Sequence, residues 1–132
     1  MKYLLDTDTC IHMFRGKSSV VERMEQVSGD DLAISSITYY ELAYGAKRCA
    51  RKREELRKVQ TFVQHIHQLV FGPQTALQAA GVRQILEERG TGIGPMDTLI
   101  AATALEAGLI LVTGNRREFS RVPGLRCESW DH

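Results

Sequence analysis

What the sequence lacks narrows the possibilities before any motif is read. No apolar run approaches the roughly 18 residues that a membrane-spanning helix requires. The N-terminus carries one Lys and enters a strand pattern at once, which does not read as a secretory signal. Cysteine is scarce: Cys10, Cys49 and Cys127 are odd in number and widely spaced, with no pair at metal-site spacing. They read as reduced thiols of a cytoplasmic protein. His12, His65, His67 and His132 lack a matching set of partner ligands and read as structural or solvated; His65 and His67, if helical, point apart. There is no internal repeat, low-complexity segment or linker. A net charge of +1 neither requires nor excludes a nucleic-acid partner, so its distribution matters more than its sum. What is there, 132 residues with 43% hydrophobic and 25% charged side chains, suits one soluble domain without a membrane partner. A chain of that size buries about two-thirds of its unfolded surface.

Tyr3-Leu4-Leu5 is a short apolar run that stops at the carboxylate of Asp6, as a buried strand does at its end. Short helical pieces are expected over Thr9 to Phe14 and Ser18 to Val27, broken at Gly16. After the turn Ser28-Gly29-Asp30-Asp31, Leu32-Ala33-Ile34 reads as a second strand ending in Ser35-Ser36. A long helical stretch follows from about Thr38 to Ile66, interrupted near Cys49 to Arg51. Gln68 to Phe71 forms a third strand, and Pro73 opens a helix ending in Glu87-Glu88-Arg89-Gly90. The glycine loop 90–95 lacks the spacing and preceding strand of a nucleotide fingerprint, so it is read as a bend that places Asp97. Met96 to Ala107 is helical and stopped by Gly108; Leu109-Ile110-Leu111-Val112 is the most convincing strand. Leu125 to Trp130 adds an edge strand. Strands separated by helices imply crossovers: one three-layer α/β/α domain, 1–132, with a mostly parallel sheet of four to five strands.

Three acids fall at comparable places in this scheme: Asp6 after the first strand, Glu41 early in the helix after the second, and Asp97 in the first turn before the fourth. Asn115 follows the fourth strand and supplies a further oxygen. Each has an innocent explanation. Asp6 or Asp8 caps a helix, Thr38-Tyr39-Tyr40-Glu41 fits a capping box, and Asp97 favours a helix dipole. In a parallel sheet, however, the positions after strands meet along one edge, where ligands of such folds bind. Carboxylates held close repel and titrate high unless a divalent cation relieves them, and all-oxygen ligation suits Mg²⁺, with Mn²⁺ able to substitute. Such clusters activate water and hold phosphate oxygens for in-line displacement.

Four stretches in order resemble the signatures of PIN-domain ribonucleases, and among them VapC-type toxins of bacterial toxin–antitoxin modules. They are Leu4-Leu5-Asp6-Thr7-Asp8, Ser35 through Gly45, Ile93 through Ala101, and Val112 through Phe119. The resemblance covers essentially the whole chain, including Val122-Pro123-Gly124-Leu125 and the tail with Trp130. It implies a PIN-like fold and an Mg²⁺-dependent endoribonuclease. Asp6 and Asp97 match the metal-binding aspartates and Glu41 the third acid. Asn115 stands where many members have a fourth acid, which weakens a second metal site. Asp8 stands where members have Asn or Asp, either as an added ligand or as a support for Asp6. Thr113 matches a hydroxyl that orients the cluster, while Glu118 reads as a helix-surface residue. The resemblance further implies structured RNA as substrate (tRNA, with the initiator tRNA anticodon stem-loop as the expected target), a homodimer, and a cognate VapB-type antitoxin. That antitoxin carries the complex to operator DNA.

Arg116 and Arg117 flank Asn115 and are candidates for RNA contact. The denser basic run from Lys47 to Lys58 alternates with Glu54 and Glu55 and reads as a solvated helix with Arg51–Glu55 and Glu54–Lys58 pairs. A competing reading takes Asp6-Thr7-Asp8-Thr9 as the start of a haloacid-dehalogenase-like phosphatase with Asp6 as nucleophile. That chemistry needs a later Lys and an acid pair, yet no Lys follows Lys58. A PIN-like binding module with weak or no catalysis is the third reading.

Overall fold

The computed structural model describes residues 1–131. Five strands form one sheet in the order β3-β2-β1-β4-β5, every neighbour parallel. They are β1 (Tyr3–Leu5), β2 (Leu32–Ser35), β3 (His67–Leu69), β4 (Ile110–Val112) and β5 (Cys127–Glu128). Seven helices connect them: α1 (Thr7–Phe14), α2 (Ser18–Gln26), α3 (Ser36–Lys47), α4 (Lys52–Gln64), α5 (Pro73–Glu88), α6 (Pro95–Ala107) and α7 (Arg116–Phe119). None is long and apolar enough to cross a membrane.

Alternation along the strands builds the three layers. Tyr3, Leu5, Leu32, Ile34 and Val112 face one side, against Cys10 and Val20 of α1 and α2, Val59 and Val63 of α4, and Trp130. Leu4, Ala33 and Leu111 lie side by side in register and face the other, against α5, α6 and Phe119 of α7. Because both faces are covered, the central strands are continuously apolar rather than alternating with polar residues. The four-residue run 109–112 was legible for that reason.

Several boundaries differ from expectation. α1 starts at Thr7 rather than Thr9, because Asp6 caps it. α3 starts at Ser36 rather than Thr38, because the Ser35 hydroxyl accepts from the Thr38 N–H (3.0 Å). The capping box on Thr38 is therefore absent, and Glu41 is free for another use. β3 begins at His67 and ends at Leu69, so His65 and His67 do not share a helix; His65 Nδ1 instead lies 2.7 Å from Thr61 O. β5 is confined to Cys127–Glu128. His132 lies outside the described residues. Arg51 pairs with Glu54 (3.6 Å) and Lys58 with Glu55 (3.1 Å), one residue closer in sequence than expected but on the same solvated helix end. The three cysteines are free thiols.

Gly108 ends α6 in the left-handed region (φ 68°), which glycine enters without a Cβ penalty, and so turns the chain directly into β4. Leu111, fully buried in the central sheet, tests the packing. Leu111→Ala is expected to cost about 3 kcal/mol, lowering the melting temperature by roughly 10 °C. The exposed Gln68→Ala on β3 should change stability by no more than about 0.5 kcal/mol in parallel denaturant titrations.

Candidate active site

The carboxyl ends of β1, β2 and β4 lie level, and each hands the chain to polar residues at the same edge. β1 ends at Leu5, and the Asp6 N–H continues the ladder to Val112 O (3.0 Å). Asp6 then takes extended dihedrals as the N-cap of α1, its Oδ1 accepting from the Thr9 N–H at 2.8 Å. Both readings of this residue therefore hold: it caps the helix and it stands at the site edge. Its side chain is almost fully buried, and burial raises its carboxyl above the ordinary value. Hydrogen bonds from the Thr113 hydroxyl and from Thr9 oppose that rise, and Asp8 adds to it.

Glu41 reaches the same edge from the second turn of α3. Its Oε1 accepts from the Thr7 hydroxyl at 2.6 Å, a bond joining residues 34 positions apart. The Thr7 Oγ1 also lies 3.2 Å from Thr38 Oγ1, itself 3.4 Å from the Ser35 hydroxyl. A short file of hydroxyls thus ties the first turn of α1 to the first turn of α3.

Asp97 sits in the first turn of α6, behind Gly94 and Pro95. A Cβ at Gly94 would stand 3.6 Å from Asp97 Oδ2, ordinary contact distance. The helix terminus favours the carboxylate by about 0.5 kcal/mol, yet its carboxyl is pushed up to about 6. Burial is the main cause, followed by Asp6, Glu41, Glu118 and Asp8. Those four acids come from β1's end, α3, α7 and α1. Asp97 is the place where their fields overlap.

Asn115 follows β4 after Thr113 and Gly114, with its backbone N–H on the Thr113 hydroxyl (2.9 Å). Its side-chain Nδ2 donates to Glu118 Oε2 at 2.9 Å, so amide and acid act as one unit. Arg116 and Arg117 are exposed at the start of α7 beside it. Asp8 is exposed on the first turn of α1, near enough to raise both Asp6 and Asp97. Two residues were missed in the sequence. Glu118 was set aside as surface, although its i+3 spacing from Asn115 on a helix was a usable signal. Thr7 had no signal, since its partner Glu41 is remote in sequence.

Among the described residues, no three Asp, Glu, His or Cys side chains are drawn together closely enough to hold an ion unaided. The donor set nevertheless fits a hard divalent cation. It is all oxygen, and the Asp97 carboxyl, raised chiefly by burial, is raised further by four neighbouring acids with no cation among its causes. Mg²⁺ in particular keeps several waters and takes one or two carboxylates together with substrate phosphates, so a closed cage is not required. Among the described residues no histidine is among the groups that act on Asp6 or Asp97, so the donors resemble those of a hard cation more than those of zinc.

Comparison with known proteins agrees with this geometry. The family model described as PIN domain matches residues 3–125. A tRNA(fMet)-specific endonuclease VapC of Salmonella typhimurium is 37% identical over 130 residues, covering 98% of either chain. The VapC chain in a DNA-bound VapBC crystal structure from Salmonella typhimurium superposes with a TM-score of 0.93 at 38% identity, over 98% of each chain. VapBC2 from Rickettsia felis, bound to a DNA fragment from its promoter, gives 0.92 at 32% identity, covering 99% of this chain and 100% of that one. PIN-domain nucleases in general depend on a divalent metal. The phosphatase reading of Asp6 finds no counterpart here: the turn after β4 carries Asn115 and no acid pair. By sequence and by fold, the chain belongs to the PIN domain family.

Proposed function

We propose that this protein is an Mg²⁺-dependent endoribonuclease, the toxin of a VapBC-type pair, working as a single PIN-like nuclease domain over residues 1–132. The observation that carries the reading is the Asp97 carboxyl, raised to about 6 among acids from four separate elements. The names of its relatives support tRNA as substrate, initiator tRNA foremost, and the VapBC complexes support a VapB-type antitoxin as partner. A homodimer in the cytoplasm, brought to operator DNA through that antitoxin, completes the proposal. Mn²⁺ is expected to replace Mg²⁺.

Asp6, Glu41 and Asp97 would hold the metal, which when bound supplies charge neutralisation at the scissile phosphate and an activated water. The chain's own residues perform the positioning. Asp6 is held by Thr9 and Thr113, so it need not be ordered when substrate arrives. Glu41 is held by Thr7. Asn115 and Glu118 together take the place of a fourth acid: the neutral amide spreads across to a carboxylate that already acts on Asp97. Asp8 remains at the rim as an added negative charge. Arg116 and Arg117, exposed beside the acids, draw the RNA backbone toward an edge that would otherwise repel it.

Asp6→Ala and Asp97→Ala are expected to abolish metal-dependent RNA cleavage and Glu41→Ala to reduce it strongly, followed by mapping new RNA ends after brief induction. Full cleavage in excess chelator would falsify the mechanism. Replacing Arg116 and Arg117 together by Ala should weaken RNA binding and flatten its salt dependence by up to two units of slope; an unchanged slope would remove them from the interface.

The pH dependence follows from the sign of the Asp97 shift. Its folded carboxyl lies above the unfolded value of 3.8, so the folded state binds the extra proton between about 4 and 6. Metal-free stability therefore falls as pH rises through that window. Asp97→Asn should raise the metal-free melting temperature at pH 7 while eliminating cleavage. Because protons compete with the ion, Mg²⁺ affinity measured by calorimetry should be about tenfold weaker at pH 5 than at pH 7. Equal affinity at both would show that Asp97 is not a ligand.

A further inference from the structure

Gly114 lies between Thr113 and Asn115, and its backbone does not require glycine: it is not among the residues of positive φ. Space does. A Cβ built there would stand 2.5 Å from Asp131 Oδ2 and 3.2 Å from its Cγ, closer than real side chains approach. The tail carboxylate thus occupies the volume that any other residue at 114 would fill.

The tail is held in that place by contacts along its length. β5 pairs with β4 through Val112↔Glu128, and the Thr113 N–H donates to Glu128 O at 2.9 Å. Trp130 is buried edge-on against Tyr3 (5.1 Å between centroids) and lies under the Arg23 guanidinium. Glu128 Oε1 accepts from Arg23 Nη2 (2.6 Å) and from Trp130 Nε1 (3.0 Å). Trp130 therefore cannot shift without dragging the sheet edge. Asp131 follows it, its Oδ1 accepting from the Ser129 hydroxyl at 2.6 Å, with His12 Nδ1 3.9 Å from Oδ2. The Ser129 hydrogen bond, with Lys17 and His12 nearby, holds its carboxyl below the usual range, so it is ionised at neutral pH.

On the other side of the same turn stand the site residues. Thr113 hydrogen-bonds Asp6 and receives the Asn115 N–H, and Asn115 carries Glu118. Thr113-Gly114-Asn115 is one short turn with the acids on one side and the tail on the other. We propose that Asp131 is a positioning residue for phosphodiester cleavage: the tail latches against Gly114 and fixes the turn that aligns Asp6 and Asn115. This rests on the ribonuclease reading for its catalytic consequence, but not for the latch itself.

The test uses the full chain with Asp131→Ala, Asp131→Asn, Gly114→Ala and the Gly114→Ala/Asp131→Ala double variant. Misplacement of a catalytic group by a fraction of an ångström costs rate, so Asp131→Ala and Gly114→Ala should each lower kcat by about tenfold. KM for RNA should stay within about twofold, because binding groups are untouched. Asp131→Asn fills the same space and accepts the same hydrogen bond, and should retain most of kcat. If latch and glycine act through one contact, the double variant should be no slower than Asp131→Ala alone. In the metal-free protein, Asp131→Ala should shift the amide resonances of Thr113 and Asn115. Unmoved resonances, unchanged kcat in Asp131→Ala, or losses that add in the double variant would each overturn the proposal. Should Gly114→Ala fail to fold, the two Asp131 variants decide it. Should wild-type protein not cleave RNA, the ribonuclease reading falls and the resonance shifts still judge the latch.

Discussion

The repulsion among carboxylates at one sheet edge is the constraint on which the rest of the site depends. The Asp97 carboxyl is raised first by burial and then by Asp6, Glu41, Glu118 and Asp8, and the fold keeps those acids in range of it. Each acid is rooted in a different element, and those elements are fixed by the two hydrophobic layers, so separation would cost core contacts worth several kcal/mol. A buried, raised carboxyl such as Asp97 costs the fold stability at neutral pH, a cost that a bound cation at such a site would offset.

Hydroxyls are the second half of that arrangement. Thr7 holds Glu41, Thr113 holds Asp6, and Ser35 and Thr38 tie the start of α3 to the edge. A hydroxyl donates to a carboxylate without adding charge, so it orients the acids and leaves their collective field intact. Lysine or arginine in these places would orient as well, but would neutralise the negative field of the acids. Positive charge instead appears outside, at the exposed Arg116 and Arg117 beside Asn115.

Much of this was legible in the chain alone. Central strands buried on both faces leave continuous apolar runs, and an acid directly after such a run marks the carboxyl edge of a parallel sheet; Asp6 was readable on that ground. Asp97 and Asn115 followed from the same topology. Less legible was anything set by side-chain choice among neighbours. Glu41 was explained equally well by a capping box until Ser35 proved to be the cap. Glu118 looked like helix surface because nothing local tells a solvent-facing acid from one turned back to Asn115. The weight of Thr7 and the conflict between Gly114 and Asp131 are long-range, and no periodicity carries them. Strand ends β3 and β5 were placed to within a few residues only, since edge strands are defined by their partner rather than by their own composition.

Of the five strands, β1 comes first in sequence yet is the middle strand of the finished sheet, and one of its two neighbours, β4, follows more than a hundred residues later. A growing chain therefore exposes its central strand on the ribosome with one side unpaired until nearly everything else has emerged. Loop closure over that separation is slow and comes late. A chain that lacks β4 lacks both a neighbour of β1 and the turn that carries Asn115, so the edge with Asp6 and Asn115 is completed only when β4 pairs. The late completion of that edge is therefore a property of connectivity rather than of any single residue.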